Sequence, residues 1–160
     1  VFATGFDAMT GSILKMDIKG RDNSSIKSIW SAGPKTYLGL QVAGFPNMFF
    51  LTGPGSPSVL TNMPRAIEQH VDWVTDCISH VESNNLNSVE ATPEAVESWV
   101  DHVNDTANKT LLPKAKHSWY LGANVPGKPR VFMPYTGGLN NYRDICNKIA
   151  KDGYAGFLFS

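Results

Sequence analysis

Two glycines and two prolines fall within five residues, Gly53-Pro54-Gly55-Ser56-Pro57, directly after the apolar run Asn47-Met48-Phe49-Phe50-Leu51. Such a segment cannot be a regular helix or a central strand, so whatever lies on either side must meet at a turn. Just beyond it, Thr61 or Asn62 supplies a helix cap, and Pro64 suits a first helical turn, where a missing N–H costs nothing. A helix N-terminus carries free N–H groups and about half a positive charge. Behind a glycine-rich turn at a strand end, that terminus suits an anion or an electron-rich carbonyl. An ordinary strand-to-helix joint without a ligand has the same pattern. No Gly-Lys-Ser/Thr follows, which excludes a nucleotidase-type phosphate loop, and Ser58 occupies the third-glycine position of a dinucleotide fingerprint.

At 160 residues the chain can enclose one substantial core. Fourteen basic residues balance fourteen acidic ones, which gives no electrostatic case for nucleic acid or an anionic membrane. No apolar run approaches the roughly 20 residues that span a bilayer. Cys77 and Cys146 each fall in a helical apolar pattern and read as reduced, buried thiols, as expected in the cytoplasm. His70, His80, His102 and His117 lack metal-ligand spacing and read as surface or satisfied core residues. The chain begins inside the apolar run Val1-Phe2-Ala3-Thr4, which predicts a strand with sheet partners upstream and a longer parent chain.

Along the chain, residues 1–4 read as a strand ending at Gly5. Residues 6–11 read as a turn, with Gly11 free to take a positive φ, and residues 14–18 as a half-buried strand. Residues 28–31 suggest a single turn carrying Trp30, residues 34–44 a mostly extended run, and residues 47–51 a central strand. Ile67, Val71, Val74, Ile78 and Val81 form one stripe of a helix over 64–81. Residues 83–91 read as a polar connection. Thr92-Pro93-Glu94 starts a second helix through Val96, Trp99, Val100, Val103 and Ala107, closed by Leu111-Leu112-Pro113. Leu139, Tyr142, Cys146 and Ile149 mark a third, with Gly153 as its stop. Short strands are expected at 130–134 and 154–159. The whole reads as α+β, or as part of an α/β domain.

Ser118-Trp119-Tyr120-Leu121-Gly122-Ala123-Asn124-Val125-Pro126-Gly127-Lys128-Pro129 joins two aromatics to a Gly/Pro/Asn-rich loop. An aromatic at the edge of such a loop can close over a flat ligand. A surface loop pinned by a buried Trp119 has the same composition.

Together these stretches resemble the C-terminal part of a Baeyer–Villiger monooxygenase of the cyclohexanone and phenylacetone monooxygenase type. The resemblance covers essentially the whole chain. It rests on Ala3-Thr4-Gly5-Phe6-Asp7-Ala8, Thr36-Tyr37-Leu38-Gly39, Phe45-Pro46-Asn47 with the Gly53–Pro57 turn, Glu68-Gln69-His70-Val71-Asp72-Trp73, the 118–128 loop and Gly138-Leu139-Asn140-Asn141-Tyr142-Arg143. It implies an α/β, Rossmann-like flavoprotein with two dinucleotide-binding domains, of which this chain holds three main helices and short strands. The implied activity uses FAD and NADPH to insert one atom of O₂ beside a ketone carbonyl through a peroxyflavin, giving an ester or lactone. The flavin carries the hard chemistry.

By the same resemblance, Asn62 and Met63 sit at the pyrimidine end of the flavin, and Ser58-Val59-Leu60 borders the substrate pocket. Trp119 lies in a mobile control loop and contacts NADP on closure. Thr4 and Gly5 end a strand at close approach to cofactor. Residues 1–8 would end the NADP domain, 9–112 belong to the FAD domain, and 113–160 supply the control loop and last helix and strand. The expected partners are a small ketone, O₂, and upstream FAD and NADP domains of the same protein. Both glycine fingerprints, the Phe-x-Gly-x-x-x-His signature and the family's active-site arginine are missing from the 160 residues. Arg21, Arg65, Arg130 and Arg143 do not stand in that arginine's context, so no catalytic residue is assigned and the chain alone is expected to be inactive. The alternatives are an N- or S-oxidising flavin monooxygenase and a truncated, non-catalytic remnant.

Overall fold

A computed structural model describes residues 6–160. The first strand expected at 1–4, together with Thr4 and Gly5, lies outside the described residues. Three long helices organise the rest, after two single-turn helices, α1 (Gly11–Leu14) and α2 (Ile26–Ile29). α3 (Met63–Ser83) starts where Asn62 accepts a hydrogen bond from the Arg65 N–H, with Pro64 in its first turn. α4 (Pro93–Asn108) starts in the same way, with Thr92 accepting from the Ala95 N–H. α5 (Leu139–Lys151) ends before Gly153, whose φ of 71° suits glycine. The three helices and short strands match the expected fold class.

The sheet is small. β1 (Val89–Ala91) pairs antiparallel with β2 (Phe157–Phe159), setting Val89 opposite Phe159 and Ala91 opposite Phe157. β1 lies in the stretch expected to be a polar connection. Three residues are too few for a periodic signal, and Val89 and Ala91 face the core only because β2 is there to pair. The expected strand at 154–159 shortens to its last residues, since Tyr154 turns at φ 59°.

The main core lies between α3, α4, α5 and the sheet and is rich in aromatics, with Trp73, Trp99, Tyr135, Tyr142 and Phe157 at its centre. A second cluster, built on Ile26, Trp30, Val42 and Phe45, lies under the N-terminal segment. α3 is tied to α5 by the Trp73 indole, which donates to the Cys146 carbonyl at 3.0 Å.

Several expectations are corrected. Residues 14–18 form no strand, because Leu14 closes α1. Gly11 begins that turn and is not among the residues with positive φ. Residues 34–44 fold back through Leu38 and Gly39 (φ 58° and 72°), and Tyr37 bridges to Gln41. Residues 47–51 and 130–134 belong to no named strand among the described residues, and Asn47 sits in a turn at φ 60°. Composition marks such runs as strand-like, but a strand requires a partner edge.

The buried face of α3 is offset by one residue from the expected stripe, of which Val74 and Val81 still pack against the core. Ala66, His70, Trp73 and Cys77 are buried, whereas Ile67, Val71 and Ile78 of the expected stripe are 38, 42 and 44% exposed. The two rows have the same helical period and lie one residue apart. α5 and the 154–157 turn meet the row with rings and a small thiol, which leaves much of the aliphatic row outside.

Candidate functional site

The Gly53–Pro57 loop is held from every side. Thr36 Oγ1 donates to the Pro54 carbonyl at 2.5 Å and accepts from the Gly39 N–H at 3.1 Å. The Trp99 indole donates to the Gly55 carbonyl at 3.0 Å, and Ser56 Oγ donates to the Gly53 carbonyl at 2.7 Å. The Gly55 N–H donates to the Met133 carbonyl, and the Tyr135 N–H to the Ser56 carbonyl, both at 2.7 Å. Gly55 needs its freedom: its φ is 88°, and a β-carbon there would lie 2.9 Å from Thr36 Oγ1. The Ser56 N–H donates to the Gly53 carbonyl at 3.1 Å, so the amides of Gly55 and Ser56 are both consumed inside the protein. The loop is a scaffold, and the electropositive end it presents is the first turn of α3.

That end follows at once. Ser58–Leu60 forms a 3-10 turn in which Ser58 is buried at a left-handed φ of 47°, while Val59 reaches the surface and Leu60 is half-buried. Thr61 is extended, Asn62 is exposed as the cap, and Met63 is half-buried at the helix start. The first turn of α3 has no acidic residue. Its dipole is thus uncompensated within the helix and fits an electron-rich group. Ser58, Val59, Leu60, Asn62 and Met63 form one continuous border.

The 118–130 segment reaches the same neighbourhood. Ser118 caps a 3-10 turn at Trp119–Leu121, and Trp119 is half-buried with its ring 4.5 Å from that of Tyr120. Hydrogen bonds from the Met133 N–H to the Tyr120 carbonyl and from the Val131 N–H to the Leu121 carbonyl close the loop on itself. Its far limb docks on residues 6–10. Lys128 Nζ donates to the Asp7 carboxylate and, at 2.6 Å, to Thr10 Oγ1, while Asn124 donates to the Phe6 carbonyl at 2.9 Å. Ser58 meets the same segment, with its hydroxyl 3.8 Å from Met9 Sδ. Residues 6–10 therefore join the aromatic loop to the turn before α3.

The titratable groups nearby are structural. His70 is fully buried, and desolvation lowers its pKa to about 4. Burial pushes Cys77 and Cys146 up to about 12, so both are protonated thiols, as expected for core cysteines. His102 Nε2 lies 3.3 Å from the Tyr135 hydroxyl, and the His80 ring packs on Tyr154 and Phe159. No cluster of three or more metal-ligating side chains occurs among the described residues. No helix there is long and apolar enough to cross a membrane. Thr10 carries no local sequence signal, and nothing in the sequence connects Asp7 with Lys128. The pair lies 121 positions apart.

No family profile matches the chain. It is 43% identical over 157 residues to cyclohexanone 1,2-monooxygenase of an Acinetobacter species, covering 98% of this chain and 28% of that enzyme. A phenazine N-monooxygenase of Lysobacter antibioticus is 39% identical over 158 residues, with 99 and 29% covered. Among solved structures, an oxidized steroid monooxygenase bound to NADP superposes with a TM-score of 0.89 at 52% identity, covering 97% of this chain and 29% of that one. An OTEMO complex with FAD and NADP gives 0.91 at 36%, covering 99 and 29%. The chain thus spans under a third of the length of the proteins it matches.

Proposed function

We propose that this chain, which is homologous to the C-terminal portion of Baeyer–Villiger monooxygenases, works within an enzyme that converts ketones to esters or lactones with O₂ and NADPH. FAD, when bound, supplies the oxygen chemistry. The residues of this chain position and shield it. The acid-free first turn of α3, with Asn62 and Met63, would face the pyrimidine end of the flavin and stabilise negative charge there. Ser58, Val59 and Leu60 would border the ketone pocket and affect which ketones fit. Trp119 would close on NADP with its loop and exclude water. Thr4 and Gly5 would lie at close approach to cofactor. Residues 1–8, 9–112 and 113–160 would divide among the end of the NADP domain, the FAD domain, and the control loop with the last helix and strand. Upstream FAD and NADP domains of the same protein would complete the site, in the cytoplasm.

One observation carries this reading: a rigid glycine–proline scaffold presents the end of a 21-residue helix, and residues 6–10 tie its border to a half-buried aromatic loop. The test is expression of the open reading frame that encodes these residues, followed by product analysis with NADPH, air and a cyclic ketone. A lactone supports the reading. The similarity to a phenazine N-monooxygenase keeps one alternative in view: N-oxide from an aromatic amine with no ester from any ketone would favour that reaction.

A further inference from the structure

We infer that His70 is a positioning residue for the loop that precedes α3, with its ring held in a single tautomer. His70 lies two turns into α3 and is 0% exposed. Its two ring nitrogens are committed to different parts of the chain. The Thr52 N–H points at Nδ1 at 2.8 Å, so Nδ1 is the acceptor and carries no proton. On the other side Nε2 lies 2.9 Å from the Tyr142 hydroxyl, which donates its own proton to the Leu38 carbonyl at 2.6 Å. The Tyr142 oxygen is therefore the acceptor for Nε2–H. The chain of donors runs one way: Nε2–H to Tyr142, Tyr142 to Leu38.

Both ends of this relay sit in left-handed backbone. Thr52 has φ 55° and Leu38 has φ 58°. Such values are unfavourable for a β-branched or bulky residue and persist only where surrounding contacts over-determine them. Thr52 is the residue before Gly53, so its conformation sets the entry angle of the Gly53–Pro57 scaffold. Leu38 precedes Gly39, where a β-carbon would lie 2.6 Å from the Ser56 nitrogen. The relay thus grips the scaffold at its entry and across its waist. His70 sits on the same helix whose first turn forms the site border. Through it, the helix end and the loop in front of it are held as one body.

The consequence for chemistry rests on the reading given above, that this border faces flavin and ketone; the positioning itself does not. Two conservative variants separate the two ring nitrogens. His70→Asn puts an oxygen near the place of Nδ1 and keeps the acceptor for Thr52. His70→Gln puts its terminal amide near Nε2, keeps the link to Tyr142 and removes the acceptor. Amide hydrogen exchange of Thr52 in the chain is expected to accelerate about tenfold or more in the Gln variant relative to the Asn variant. Equal Thr52 exchange in both variants would overturn the proposal. Ring-nitrogen shifts of unsubstituted His70 give a check that needs no variant. An unprotonated Nδ1 supports the tautomer, and a protonated Nδ1 overturns it.

In the enzyme expressed from the full reading frame, the Gln variant should lose about tenfold or more in kcat/KM for a ketone, with the Asn variant restoring most of it. Loss of Thr52 protection without change in kcat or KM would overturn the positioning role. If unsubstituted enzyme makes no ester at all, the functional reading fails, while Thr52 exchange still decides the relay.

Discussion

Lys128 is paired with Asp7 across 121 positions of sequence, and its ammonium also reaches Thr10 Oγ1 at 2.6 Å. The lysine side chain is 11% exposed and the aspartate 28%. This pair differs from the outer ion pairs, such as Lys148 with Asp152, where both side chains are at least half exposed. Charge-assisted hydrogen bonds shielded in this way are worth about 1.5–3 kcal/mol, whereas exposed ones contribute little.

Replacing Lys128 with Met should therefore release the far limb of the 118–130 loop without unfolding the helices. Cleavage by chymotrypsin at Trp119 or Tyr120 is expected to accelerate several-fold, with the thermal midpoint falling by only a few degrees. Lys148→Met should change neither. If both variants are cut at the unsubstituted rate, the Asp7–Lys128 pair does not hold the loop.

His70 gives a pH dependence whose direction follows from burial. Its pKa falls from 6.5 to about 4 in the folded chain, so the unfolded chain binds the extra proton first. Stability is then full above about pH 6.5, declines as pH falls toward 4, and loses nothing more from this residue below that. The whole change is about 3 kcal/mol. Denaturant midpoints measured between these pH values should drop for the unsubstituted chain and drop less for His70→Asn. A pH profile identical in the two would show that His70 is not titrating as a buried neutral ring.

Trp99 serves both the core and the loop, since its ring stacks on Tyr135 at 5.3 Å while its indole N–H holds the Gly55 carbonyl. Trp99→Ala should cost about 3–5 kcal/mol as a large-to-small core change. Trp99→Phe keeps most of the ring but leaves that carbonyl without its donor, for about 1–3 kcal/mol. Urea unfolding followed by circular dichroism checks both, and a Phe variant as stable as the parent would remove Trp99 from the account of the loop.

The parts of this fold that sequence made legible are those specified locally. Asn62 with Pro64, Thr92 with Pro93, and Gly153 mark helix ends within a few residues, and each occupies the place its chemistry suits. The side of α3 that turns inward was legible only to within one residue. The row of Ile67, Val71 and Ile78 has an ideal period, but a neighbouring helix chooses the face, and α5 meets Trp73 and Cys77 instead. β1 was hidden for the same reason, since its partner lies near the far end of the chain. At the candidate site, the glycines and prolines announced a turn. They did not reveal that the amides of Gly55 and Ser56 are consumed by Met133 and Gly53, or that a core histidine holds Thr52. Those facts depend on residues brought together only by the fold.

In the proposed reaction, the enzyme to which this chain would contribute places one atom of O₂ beside a ketone carbonyl. The most direct measurement is mass spectrometry of the product formed by the protein of the full reading frame from cyclohexanone, NADPH and isotopically labelled dioxygen. The account predicts a lactone carrying one labelled oxygen atom per molecule, formed in step with NADPH consumed. Consumption of NADPH yielding only hydrogen peroxide, or no consumption from a flavin-loaded protein, would contradict it.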